Sequence, residues 1–267
     1  MILEKRNPRM MASFFCLHVI IILGDDHMKK TENQKLNFNT YFKNGGIAII
    51  AFVVYFGISL FEEPFLTLFG LHLDQLSAGV KIFYMVVCNL LLLASMMLLF
   101  HEKLERDFKD LLKHHKEYYG EYFKYWLIAL AIMMISNMIL SSIANGQLPN
   151  NEQAIRDAFG INPFYVYFSA VFLAPVVEEL LFRQGIRNLI PNKIAFILVS
   201  GIVFGGMHVV LSMTSGFDLL YLIPYCTPGI VFAYMLAKTD NIFVSMGFHF
   251  MHNGILMALQ FIVLFFG

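Results

Sequence analysis

The sequence predicts an all-α fold: a polytopic membrane helical bundle of about seven transmembrane helices, N-terminus in and C-terminus out, plus an amphipathic cytoplasmic helix. Three observations carry this expectation. Of 267 residues, 58% are hydrophobic and only 14% charged, whereas a soluble domain averages about 45–50% and about 25%. The apolar residues fall into seven long runs. The basic residues between those runs alternate sides strongly. A disordered chain, a collagen-like chain and an ordinary soluble enzyme are all excluded by this composition. Nineteen basic and 19 acidic residues cancel, so the electrostatic footprint of a nucleic-acid binder is missing. Cys16, Cys88 and Cys226 are scattered and odd in number, and they form neither a disulfide framework nor a CxxC metal pair.

The first element is ambiguous. Residues 11–23, MASFFCLHVIIIL, form an apolar run, shorter than the roughly 20 residues a spanning helix needs. Lys5, Arg6 and Arg9 give it the basic flank of a signal-peptide core. Alternatively Met28, followed by Lys29 and Lys30, is the natural start. Residues 1–27 are therefore expected to be a misplaced start, which is preferred, or a leader-like segment, and no function is placed on them.

The seven spans are read at 45–61, 79–100, 125–145, 162–182, 194–212, 218–237 and 242–266. Pro64, Asn150, Pro191 and Asp240 mark turns between them. With the segment before the first span inside, Lys29, Lys30, Lys35, Lys43, Lys103, Arg106 and eight further Lys or Arg up to Lys238 fall on the cytoplasmic side. Lys81 and Arg156 alone fall outside, which is the positive-inside pattern. Leu104, Phe108, Leu111, Leu112, Tyr119 and Phe123 recur at helical spacing among charges over 101–124. That segment reads either as an amphipathic helix at the cytoplasmic interface or as a solvated extension of the neighbouring spans. Residues 28–159 thus hold the N-terminal membrane helices, and residues 160–267 hold whatever chemistry there is.

Ionisable groups inside a membrane are costly and are functional candidates by default. The first three spans have almost none. Glu178 and Glu179 lie in span four, His208 in span five, and His249, His252 and Asn253 in span seven. Successive helical residues point about 100° apart, so the two glutamates cannot share a target. Glu179 and Arg183 are four apart in the favourable order for an ion pair, which leaves Glu178 free to enter a cavity. His249 and Asn253 are also four apart and can face that cavity together, with His252 at its edge or simply packed. Glu178 and His208 lie at comparable depth on either side of Pro191. Gly201 and Gly205 form a GxxxG spacing, expected to help bring His208 toward Glu178.

A carboxylate, imidazoles and an amide converging in a dry cavity suit hydrolysis. Glu178 can serve as general base and His208 can orient the water. His249 and Asn253 can donate hydrogen bonds to the oxyanion of an attacked peptide carbonyl. Zinc-protease HExxH and nucleophile-elbow GxSxG motifs are missing. Two other classes stay open. A non-catalytic scaffold or bacteriocin self-immunity protein could use the same cavity. A proton-coupled transporter could use Glu178 as carrier, with Pro224 and Pro228 interrupting span six; those prolines could also open a lateral entry for substrate.

At this point EELLFR at 178–183 matches EExxxR, FGGMH at 204–208 matches FxxxH, and HFMHN at 249–253 matches HxxxN. In this order on membrane helices they resemble the CPBP family, the CAAX proteases and bacteriocin-processing enzymes also called Abi, over roughly residues 160–267. The resemblance implies an all-helical intramembrane endopeptidase in the cell membrane. By resemblance Glu178 and His208 activate the water, His249 and Asn253 form the oxyanion site, Glu179 and Arg183 support Glu178, and Phe204 packs beside His208. It also implies a hydrophobic, membrane-associated or lipidated peptide or protein as substrate, including a peptide pheromone or bacteriocin precursor, cut near the cytoplasmic leaflet. No cofactor is expected. A divalent metal such as zinc on Glu178, His208 and His249 is the less favoured alternative, because Asn is an unusual zinc ligand and no dedicated ligand set is present.

Overall fold

The computed structural model describes residues 38–145, 149–210 and 212–266. The segment 1–27, together with Lys29, Lys30 and Lys35, lies outside the described residues. The chain divides into two compact units, Met1–Thr40 and Tyr41–Gly267; of the first, only the opening turn of the first helix is described. All regular structure among the described residues is helical.

Eight helices follow one another: α1 Phe38–Thr67, α2 Ala78–Leu99, α3 His101–Ile143, α4 Asn150–Ile161, α5 Pro163–Leu189, α6 Lys193–Val210, α7 Leu222–Thr239 and α8 Ile242–Phe266. All except α4 belong to segments long and apolar enough to cross a membrane, which makes this a multi-pass membrane protein with the seven spans expected.

Of the two readings of residues 101–124, the structure takes the extension of a neighbouring span: they run without a break into the third span as one 43-residue α3. The polar face of that stretch is used on the turn between α7 and α8. Asp107, only 1% exposed, accepts the Ile242 amide at 2.8 Å. Asn241 donates to the Asp107 carbonyl and to Asp110, both at 2.8 Å. Lys103 donates to the Asp240 carbonyl at 2.7 Å. That turn is left-handed at Asp240 (φ 50°, ψ 28°), a conformation Asp tolerates better than most residues. α4 does differ from the sequence reading. Asn150 marks the start of a short amphipathic helix rather than a plain turn, and Phe159 seats it on Val166, Val171 and Met257.

The last four helices form the core. α5 begins on the Asn162 side chain, which accepts from the Tyr165 amide at 3.0 Å, with Pro163 in the first helical position, where its missing N–H costs nothing. It then carries two π-helical stretches, Ser169–Leu173 and Glu179–Gly185, either side of a short α segment ending at Glu178. Such bulges in a helix often mark functional sites, and the regular 3.6-residue period assumed from sequence does not reveal them. α6 and α7 meet along a glycine seam. A side chain on Gly201 would strike Ile230, one on Gly205 would strike Cys226, and one on Gly229 would meet the Gly201 backbone. The GxxxG spacing therefore serves α7, not the approach of His208 to the Glu178 helix. α7 continues through Pro228 without a break.

Candidate active site

The residues singled out from the sequence meet in one place. Glu178 from α5, Phe204 and His208 from α6, and His249, His252 and Asn253 from α8 line a 540 Å³ cavity. Pro224, Tyr225, Pro228 and Phe232 of α7 and several residues of α4 complete its walls.

The adjacent glutamates separate as helix geometry requires. Glu179 is fully buried and pairs with the equally buried Arg183, Oε1 to Nε 3.3 Å. The guanidinium lies 4.1 Å from the Phe204 ring centroid and 5.7 Å from that of Phe232, so cation–π attraction supplements the ion pair. Both terminal nitrogens of Arg183 have no hydrogen-bond partner among the described residues, leaving its charge to act on both carboxylates. Glu178 keeps 18% of its side chain exposed, in the cavity.

Glu179 holds the His249 ring, Nδ1 to Oε1 2.9 Å. The other ring nitrogen, Nε2, then stands 3.6 Å from Glu178 Oε2. Phe232 packs against the same imidazole at 5.1 Å between centroids. His249, 3% exposed, thus bridges the two glutamates and is fixed by its partner on one side.

His208 is held differently. Its Nδ1 lies 2.9 Å from the Phe204 carbonyl, which can only accept, so Nδ1 is the donor, and in the neutral tautomer of that ring Nε2 is the acceptor. The ring sits against Phe204 at 4.6 Å and stacks on Tyr225 at 5.4 Å, 19° between planes. Asn253 donates to the Ala170 carbonyl at 2.8 Å, which anchors its amide and leaves one N–H for a ligand. His252 is 5% exposed, and its Nδ1 has no partner among the described residues.

Tyr225, Phe232 and helix α4 were not legible as site residues. Tyr225 and Phe232 are aromatics among many in this chain, and no spacing distinguishes them. α4 lies in a polar connection without a span's hydropathy, although Phe159 at one end of its 12 residues hints at a buried face. Among the described residues no three His, Cys, Asp or Glu side chains are grouped as metal ligands. Glu178 and His249 come together, but His208 does not complete a set with them, so no step is routed through a metal.

Residues 160–255 match the family model Type II CAAX prenyl endopeptidase Rce1-like. That match is what the segment resembles, and the segment takes in about a third of the chain. It contains all three motifs that carry the resemblance read from the sequence. The chain is also 31% identical over 144 residues to "Putative membrane peptidase YdiL" of Bacillus subtilis (strain 168). That alignment covers 51% of this chain and 55% of the relative, so the chain spans about half the length of the curated relative it matches. No solved structure matches the chain. Glu178, His208, His249, His252 and Asn253 all lie within the matched segment.

Proposed function

We propose that this protein is an intramembrane endopeptidase that hydrolyses a peptide bond in a hydrophobic, membrane-associated peptide or protein, with Glu178 as general base and no metal. The observation that carries the reading is the Glu179–His249–Glu178 bridge at the end of a cavity, in a segment that matches a family of endopeptidases.

The charges of the bridge explain how it works. Glu179 and Arg183 form one neutral pair. With His249 as imidazolium, Glu178 and His249 form a second. A buried site prefers such balance, because an unpaired ion there is costly. Water enters between Glu178 and the His208 Nε2 lone pair, each accepting one of its protons. The water oxygen attacks the scissile carbonyl carbon as Glu178 takes a proton. The carbonyl oxygen becomes an oxyanion, and His249 Nε2–H and the free Asn253 N–H donate to it. Glu178 then gives its proton to the leaving nitrogen as the C–N bond breaks. Negative charge moves from Glu178 to the oxyanion and back, always beside His249. Glu179 is a positioning residue here, since it fixes Nδ1 and so aims Nε2.

The cavity's apolar walls suit a lipidated peptide, a peptide pheromone or a bacteriocin precursor. The test uses detergent-solubilised protein, chelator-treated, with a set of lipidated and unlipidated apolar peptides read by mass spectrometry. Cleavage by the wild type and not by Glu178→Ala is expected. Equal cleavage by the variant, or loss of cleavage on chelation that zinc restores, overturns the reading.

A further inference from the structure

The cavity is not centred between the ends of the bundle. One end carries the α2–α3, α5–α6 and α7–α8 connections, at Phe100, 190–192 and 240–241. The other carries the α3–α4 and α6–α7 connections and the last turn of α8. The cavity walls come from the last part of α3, from α4, from the first half of α5, and from the parts of α6, α7 and α8 nearest the second end. Below Glu178, toward the first end, the bundle is solid. Phe182, Arg183, Phe196, Met235 and Leu236 are each 2% exposed or less. A substrate and its water therefore reach Glu178 from the second end.

Charge distinguishes those ends. Lys43, Lys103, Arg106, Arg187, Lys193 and Lys238 surround the first, and Lys109, Lys113 and Lys116 add to it along α3. The second end has Lys81 and Arg156, and Arg156 is paired with Glu152 at 2.6 Å. Basic connections stay on the cytoplasmic side of a membrane. We infer that the cavity opens on the extracytoplasmic face, and that the substrate is an apolar peptide which has already crossed the membrane or lies in its outer leaflet. The inference rests on the peptidase reading and narrows it, and it moves the expected cleavage away from the cytoplasmic leaflet. The rim agrees with this occupant. Met134 and Leu259 offer apolar surface beside Asn151 and Gln260, and Arg156 at the rim is neutralised by Glu152.

The test reads topology apart from turnover. In a background carrying Cys16→Ser, Cys88→Ser and Cys226→Ala, single cysteines are placed at Asp157→Cys on α4 and Lys113→Cys on α3, both exposed positions. Intact cells are treated with a membrane-impermeant maleimide. Asp157→Cys is expected to label in intact cells, and Lys113→Cys only after lysis. The reverse pattern, or equal labelling of both in intact cells, overturns the inference. Right-side-out and inside-out vesicles of the wild type are then given the same apolar peptide outside. Faster cleavage by right-side-out vesicles supports the assignment, and faster cleavage by inside-out vesicles overturns it. Cleavage by neither counts against the peptidase reading, while the labelling still decides which face the cavity meets.

Discussion

The first two helices and the last four are all apolar enough to cross a membrane but are used differently. In the most apolar stretch of α1 and of α2, only 11% of residues are buried. In the segments of α5, α6, α7 and α8 the figures are 39, 39, 56 and 44%. α1 and α2 therefore spend their Phe and Leu on the surface, where lipid covers them, while the last four helices spend theirs on one another. The difference shows in where charge is placed. A helix facing lipid on most sides cannot shelter an ion pair, and a helix enclosed by three neighbours can. Glu178, Glu179, Arg183, His208 and His249 all sit in the enclosed set. α3, at 22%, lies between the two regimes and braces the α7–α8 turn with its polar portion.

The largest effect expected from breaking this contrast comes at Glu178. It is the carboxylate the enclosed helices expose to their own cavity. Glu178→Ala should lower peptide cleavage by about 10²–10⁴-fold, the usual contribution of a general base. Its membrane insertion should be unchanged, and its melting midpoint should fall far less than that of a variant at the fully buried Glu179. Product mass spectrometry and a thermal scan check the two halves, and turnover at the wild-type rate would remove Glu178 from the chemistry.

One residue along, the same change should act on stability instead. Glu179→Ala or Arg183→Met leaves the other charge buried and unpaired, at a cost of about 3–5 kcal/mol. Either variant alone should lose yield and melt early. The double variant Glu179→Leu with Arg183→Met removes both charges and should recover much of that stability. It should not recover cleavage, because His249 then has nothing on Nδ1 to aim its ring. Recovery of both would show that Glu179 serves the fold alone.

These two residues also show what a sequence can reveal. The i, i+4 spacing of Glu179 and Arg183 read the ion pair directly, because that relation is set by one helix. The seven spans were legible for the same reason: hydropathy is local and needs no partner. That Glu179 would hold His249, 70 residues away, depends on how α8 docks against α5, and no local spacing encodes it. The π-helical stretches beside Glu178 were hidden likewise, since they change the period on which the reading relied. Gly201 and Gly205 announced close helix contact but not with which helix. Their partner, α7, becomes evident only once Ile230 and Cys226 are seen against them.

The glycine seam gives a smaller, sharper test. An added side chain on Gly205 would come within 2.8 Å of the Cys226 amide nitrogen, whereas one on its neighbour Gly206 meets nothing within 4 Å. Gly205→Leu should therefore destabilise by about 1–3 kcal/mol through overpacking. Gly206→Ala should be neutral or should stabilise by about 0.4–1 kcal/mol by restricting the unfolded chain. Chemical or thermal unfolding of both variants checks the pair. An equal effect at the two positions would mean that the seam is not the close approach described here.

The smallest effect tests whether α1 is lipid-facing throughout, and it should not be. Val53 is 66% exposed, while Ala51, two residues earlier, and Ala48 are fully buried. Nearby, Phe52 and Tyr55 meet the Phe182 ring of α5 at 6.3 and 5.8 Å, so one narrow face of α1 touches the enclosed helices. Val53→Leu adds a methylene where only lipid stands and should change stability by no more than about 0.5 kcal/mol. Ala51→Leu adds three carbons where no space remains and should cost about 1–3 kcal/mol. If both are silent, α1 is a detachable sheath and the enclosed helices stand without it. If only Ala51→Leu is felt, α1 belongs to the wall behind Phe182, and through Phe182 and Phe204, 6.1 Å apart, it supports the ring on which the Arg183 guanidinium rests.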